Sequence, residues 1–241
     1  MADFILVHGA YSGSHMWGKV RPLLRAAGHE VYTPCLTGIG ERSHLVGPEV
    51  GFTTHVRDVV QTIVYEDLSN VTLLGYSYGG RVVTGTLDYI SDRVDHLVYL
   101  DSSVPDDGDL GANSFAPLSA ANVIEYSANW LISRPVTVTD SVDDPDDNAW
   151  ISSRRVPMPI GCFVEPVRLS RKLEDFDFTR TYIKATATPR PPDGGPAWTA
   201  ADRARSSSLW QYREIQTNHL IPRNRPQELV DILLELVGAN S

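Results

Sequence analysis

Short apolar runs alternate with longer amphipathic segments along most of this chain. "FILVH" (Phe4–His8) is rich in β-formers and ends at a glycine, which predicts a buried strand. "GKVRPLLRAAG" (Gly18–Gly28) places Val20, Leu23 and Leu24 at helical spacing, with Gly28 as a C-terminal stop. "HEVYTP" (His29–Pro34) predicts a second strand. "TTHVRDVVQTIVYED" (Thr53–Asp67) predicts a helix with Val56, Val59, Val60 and Ile63 on one face. Strand "VTLLGY" (Val71–Tyr76), helix "GGRVVTGTLDYI" (Gly79–Ile90) and strand "VDHLVYLD" (Val94–Asp101) follow. Regularity then breaks from Ser102 to about Asp177, where Pro, Asp and Ser cluster among scattered aromatics. "TDSVDDPDDN" (Thr139–Asn148) reads there as a polar loop. Order resumes with strand Thr179–Ala187, helix Ala197–Ser208, strand Trp210–Thr217 and a closing helix Arg225–Val237, which has Pro226 in its first turn.

Six strands alternating with helices predict an α/β fold with a mostly parallel sheet covered on both faces. The near-continuous apolar strands agree, since a strand covered on both sides needs no polar face. The division expected is a core of residues 1–101 and 178–241, interrupted by an insert at 102–177.

Composition narrows the function classes. The 241 residues are 42% hydrophobic and 21% charged, as in an ordinary globular chain, with net charge −9. No Lys/Arg-rich run is present, so nucleic acid is not an expected partner. No apolar stretch approaches the roughly 18 residues of a membrane span. The start of the chain lacks the basic leader and cleavage site of a signal peptide, and a cytoplasmic location is the expectation. Cys35 and Cys162 read as free thiols in a reducing compartment. No metal or organic cofactor is called for. A homodimer is compatible with the sequence, which does not fix the oligomeric state.

"GYSYGG" carries the candidate chemistry. Gly75, Ser77 and Gly79 fit G-x-S-x-G between a predicted strand and a predicted helix. Strand and helix nearly touch at such a turn, so the positions two before and two after the serine must be small. The hydroxyl then projects above the strand ends, beside the positive end of the helix. A serine needs a base to act at neutral pH. The one histidine beyond His96 is His219, after the last strand and before the last helix. Acyl transfer also needs donors for a developing oxyanion. The N–H of Tyr78, next to the serine, and that of Ala10, in "HGAYSG" after the first strand, are placed to supply them. His8 reads as a residue that orders that loop. His29, His55 and His96 read as exposed residues on element surfaces, and His15 and His44 as loop residues near the strand ends.

The stretches "FILVHGAYSGSHMWGKVRPLLRAAGHEVYTPCLTGIGERSHL", "GYSYGG" and "HLVYLDSSVPDDG" resemble the α/β-hydrolase superfamily. The nearest branch is that of small cofactor-free esterases and hydroxynitrile lyases related to plant methyl-ester esterases. The resemblance covers residues 3–108 and 179 onward. It implies Ser77 as nucleophile, His219 as base, Ala10 and Tyr78 as oxyanion donors, and a helical cap formed by the insert. Lyases of this branch carry a threonine after the first-strand histidine and a lysine after the catalytic histidine. Gly9 and Leu220 stand at those positions here, an esterase-like pattern.

The family places its acid just after the strand that here ends at Ala187, yet "IKATATPRPPDGG" has none before Asp193. Asp101, at the end of an earlier strand, is the favoured acid and Asp193, beyond two prolines, the alternative, since an acid at either strand end could hold a histidine. The insert contributes Tyr126, Trp130 and Trp150, with Phe115, Met158 and Phe163, either to packing or to an apolar pocket that Tyr11 and His15 would also line. With no arginine cluster, the expected substrate is a neutral, moderately bulky ester, thioester or lactone, cleaved through an acyl-enzyme. A cofactor-free lyase or cyclase, and a non-catalytic ligand receptor, are the rival readings.

Overall fold

The computed structural model describes residues 1–111, 130–134, 141–192 and 194–238. Six parallel strands form the central sheet: β1 (Asp3–Val7), β2 (Glu30–Tyr32), β3 (Val71–Tyr76), β4 (Val94–Leu100), β7 (Thr179–Ala185) and β8 (Gln211–Ile215), in the order β2-β1-β3-β4-β7-β8. A short antiparallel pair, β5 (Leu131–Ile132) and β6 (Met158–Pro159), lies between β4 and β7 in sequence.

Side chains of a strand alternate between sheet faces. Ile5, Val7, Leu73, Leu97 and Tyr99 therefore enter one core, which they share with α2 (Phe52–Tyr65), α3 (Tyr78–Ile90) and α6 (Pro196–Ser206). Phe4, Leu6, Leu74, Val98 and Leu100 enter the other, against α1 (Val20–Ala26) and α8 (Pro226–Gly238). The paired cores explain why the strands read as continuous apolar runs. On α2 the buried stripe is Phe52, His55, Val56, Val59, Val60 and Ile63, the spacing of one helix face.

The described part of the insert holds α4 (Pro145–Ser152) and α5 (Gly161–Val164). The expected polar loop at 139–148 is corrected here from Asp144 onward. Asp144 caps α4 by accepting from the N–H groups of Asp146 and Asp147, and Pro145 starts the helix. Met158, Cys162 and Phe163 pack into the core around α2 and α3. Two histidines expected on the surface are buried: His55 at 0% exposure and His96 at 1%. His29 is half-buried and accepts the Ala2 N–H. Short helix α7 (Ile221–Asn224) follows His219. Among the described residues no helix is long and apolar enough to cross a membrane.

β2 and β3 flank β1 on opposite sides, so the chain reverses its direction of winding between β1 and β3. The crevice at the carboxyl ends of these strands is where open α/β sheets place ligands.

Candidate active site

Ser77 sits between β3 and α3 with φ 54° and ψ −122°, a conformation disfavoured for a side-chain-bearing residue. Its neighbours have to be glycines. A Cβ on Gly75 would lie 2.5 Å from the Gly79 carbonyl oxygen, and one on Gly79 would lie 2.4 Å from the Val7 carbonyl oxygen. The turn is tied to the sheet by Ser77 N–H donating to Leu100 O at 3.1 Å, and by Ser102 Oγ, 2.6 Å from Ser77 O.

The loop after β8 brings His219 to this hydroxyl. Its Nε2 is 2.9 Å from Ser77 Oγ, and its Nδ1 is 2.7 Å from Asp101 Oδ2. An ionised carboxylate only accepts, so Nδ1 carries the proton and Nε2 accepts from the serine. Tyr76 secures the loop: its hydroxyl donates to His219 O at 2.9 Å, and the two rings lie 5.0 Å apart.

Asp101 follows β4 with φ 43°, and its N–H donates to Ile183 O at 2.8 Å. Burial alone would raise its pKa. The hydrogen bond and charge of His219, joined by Lys184, outweigh burial and hold the carboxyl below the usual aspartate range. Of the two acids considered from sequence, the structure brings Asp101 to the histidine; Asp193 lies outside the described residues. Lys184 and Ser102, both missed by sequence reasoning, join the site. The visible signal for Lys184 was a lone cation in the otherwise apolar end of β7.

On the β1 side, His8 is wholly buried. Its Nδ1–H donates to Gly9 O at 2.9 Å, and Nε2 accepts from Leu36 N–H at 3.1 Å. Burial pulls its pKa down to about 4, so it is a neutral brace for the loop that holds Ala10. Space at Gly9 is tight as well, since a Cβ there would lie 3.0 Å from Ser77 Cβ. Tyr78 is buried at the start of α3, where His55 Nδ1 meets its hydroxyl at 2.9 Å.

A cavity of about 370 Å³ opens beside Ser77 and His219. Its walls include Thr188, Pro189 and Pro191 after β7, and Pro196, Ala197 and Trp198 at the start of α6. Tyr11, His15, Trp130 and Trp150 are not in these walls. Tyr11 stacks on Phe163, and its N–H meets Met158 Sδ at 3.1 Å. Trp150 sits against the His15 ring, and the guanidinium carbons of Arg154 and Arg223 lie 3.9 and 5.3 Å from its ring centre. The Trp130 carbonyl accepts from Ile160 N–H at 2.9 Å. Phe115 and Tyr126 lie outside the described residues. Cys35 and Cys162 are free and buried, with burial pushing both thiols up to about 12.

A parallel sheet that lifts a serine on a strained strand-to-helix turn, toward a histidine delivered after its last strand, defines an α/β-hydrolase. The chain belongs to that family: residues 4–232 match the family described as the alpha/beta hydrolase family, and the protein is an enzyme of this hydrolytic class. Across 98% of its length and 100% of the relative's, it is 33% identical to the carbendazim hydrolyzing esterase of Nocardioides sp.. It is 25% identical to salicylic acid-binding protein 2 of Nicotiana tabacum, over 97% of this chain and 96% of that one. Among solved structures, an extracellular alpha/beta-hydrolase from a Paenibacillus species superposes with a TM-score of 0.81 at 24% identity, covering 98% of each chain.

Proposed function

We propose that the protein is a serine hydrolase that cleaves a neutral, apolar carboxylic ester or lactone through an acyl-enzyme. The observation that carries this reading is the unbroken relay from Ser77 Oγ to His219 Nε2 at 2.9 Å, and from His219 Nδ1 to Asp101 Oδ2 at 2.7 Å. Ser77 Oγ attacks the carbonyl carbon while its proton passes to His219 Nε2. Asp101 fixes the ring and stabilises the imidazolium. The N–H groups of Ala10 and Tyr78 receive the charge that forms on the carbonyl oxygen. His219 then gives its proton to the departing alkoxide, and the alcohol leaves an acyl group on Ser77. Water, deprotonated by the same nitrogen, attacks the acyl carbon and releases the acid.

The proline, alanine and tryptophan walls support an apolar substrate, as do relatives named for hydrolysing carbendazim and pyrethroids. Leu220 is buried in the core beside His219, so that position offers no ammonium to hold a cyanide leaving group, which supports hydrolysis over the lyase reading. A fluorophosphonate probe tests the proposal. Labelling is expected at Ser77 and lost in Ser77→Ala; ester turnover that survives Ser77→Ala with no labelling overturns it.

A further inference from the structure

β4 and β7 are adjacent, and the register that pairs Leu100 with Ile183 leaves Asp101 and Lys184 side by side at the carboxyl edge. Lys184 Nζ donates to Asp101 Oδ1 at 2.5 Å, with the two side chains only 4% and 7% exposed. The same ammonium donates to Ala185 O at 2.7 Å and lies over the Trp198 ring, 4.4 Å from its centre. Two of these contacts are hydrogen bonds and the third is an aromatic face, so the ammonium is held from three sides at the edge of the cavity. They also divide the carboxylate between its partners. Oδ1 accepts from Lys184 and from Ala185 N–H at 3.3 Å, while Oδ2 is kept for His219. A buried ion pair is no more stabilising than well-packed apolar residues, so stability alone gives little reason for a cation in this strand.

Building on the serine-hydrolase reading of Ser77, His219 and Asp101, we propose that Lys184 is a positioning residue of the relay: it orients Asp101 and, by its charge, keeps the resting imidazole in its neutral, proton-accepting form. A buried carboxylate beside an imidazole favours the imidazolium, which cannot accept a proton from Ser77. Lys184 supplies the balancing charge in advance, so the resting site holds one anion, one cation and a neutral ring. The proton moves from Ser77 to His219 and on to the alcohol, and Lys184 keeps its own protons throughout. Among the described residues few other groups compete. His219 faces Ser77, Asp101 and Tyr76, and the Tyr76 hydroxyl is spent on His219 O. The Tyr182 hydroxyl near Asp101 donates to Ser102 O and Ala197 O. Lys19 and Arg223 pair with Asp147.

The test is the pH profile of kcat/KM for p-nitrophenyl butyrate. In Lys184→Met the acid limb is expected to move to higher pH by on the order of one unit, with a lower plateau, because a nearby charge interacts with the ring by a few kcal/mol at most. Lys184→Arg, which keeps the charge, is expected to retain the wild-type limb. A folded Met variant whose limb stays in place overturns the proposal. If Met does not fold, Lys184→Gln, which removes the charge but keeps a donor to Asp101, is read in the same way. If neither neutral variant folds while Arg does, the charge serves stability and the proposal fails. Wild-type turnover that does not depend on Ser77 would instead defeat the underlying hydrolase reading, so the two failures are distinguishable.

Discussion

Asp101 divides its two carboxylate oxygens between opposite neighbours: Oδ2 lies 2.7 Å from His219 Nδ1, and Oδ1 lies 2.5 Å from Lys184 Nζ. Asp101→Asn preserves the shape of this arrangement and removes its charge. A loss of about 10³–10⁴ in kcat is expected, the scale seen when a serine protease loses its buried aspartate charge. KM is expected to change little. Steady-state kinetics on a purified, folded variant checks this, and a loss under tenfold would contradict the role given to Asp101.

Backbone contact at the nucleophile turn sets a second expectation. A Cβ at Gly75 or Gly79 would meet backbone atoms at 2.5 Å and 2.4 Å, and neither neighbour is a side chain able to rotate away. Gly75→Ala and Gly79→Ala are each expected to destabilise the fold by about 2–3 kcal/mol or more, in denaturant titrations. Ser77 labelling by a fluorophosphonate is expected to be nearly lost in both.

Ser102 Oγ lies 2.6 Å from Ser77 O and supports the strained turn from β4. Ser102→Ala deletes that donor while leaving the relay residues in place. A five- to tenfold fall in kcat is expected, equivalent to a hydrogen bond worth about 1 kcal/mol. An unchanged kcat would remove Ser102 from the account.

Stability is expected to fall with acidification well before the carboxylates titrate. Burial lowers His8 and His96 from an ordinary 6.5 to about 4, so both are neutral in the fold at neutral pH. The unfolded chain binds more protons between these values, and its advantage grows as pH drops through 6.5 toward 4. Each histidine contributes a loss on the order of 3 kcal/mol across that window. Asp101 acts in the opposite range: its folded value is depressed, so its contribution persists above the ordinary aspartate value and is lost only as pH falls through the folded one. Urea unfolding at pH 7 and pH 4.5 measures the loss, and His96→Gln is expected to flatten it by that histidine's share.

Ala197 lies in the cavity wall at the start of α6. Ala197→Phe is expected to fill part of the 370 Å³ space and raise KM for long-chain p-nitrophenyl esters severalfold, while sparing the acetate. An unchanged chain-length series would place the substrate elsewhere.

Most of the framework could be read from sequence, because the inner strands β1, β3 and β4 are covered on both sides and so announce themselves as apolar runs. Ser77 and His219 could be read for a topological reason: one sits on a turn only glycine can flank, the other on the last strand's loop. The misreadings have physical causes. His55 looked exposed as an isolated residue, yet it falls on the same helical stripe as Phe52, Val56 and Val59. His96 is buried because β4 lies inside the sheet, where its Nε2 meets Thr181 Oγ1 at 2.8 Å. The Asp144–Pro145 start of α4 was passed over because the helix has no apolar face, although an aspartate cap before proline is a start signal in itself. The sequence favours Asp101 over Asp193, which stands beyond two prolines in its loop, and the 2.7 Å contact with His219 Nδ1 agrees; the part of Lys184 was hidden because the β4–β7 register exists only in three dimensions.

His219 Nδ1 meets a carboxylate that follows β4, not one of the described residues after β7. Thr188, Pro189 and Pro191 in that segment touch the cavity, while the groups that would break the bond come from other loops. On the proposed hydrolase reading, part of the cavity wall and the reacting groups are thus written into separate stretches of chain. Natural drift or laboratory selection can redraw the first without rewriting the second, which makes residues 186–192 the natural place to graft new substrate preferences onto this scaffold.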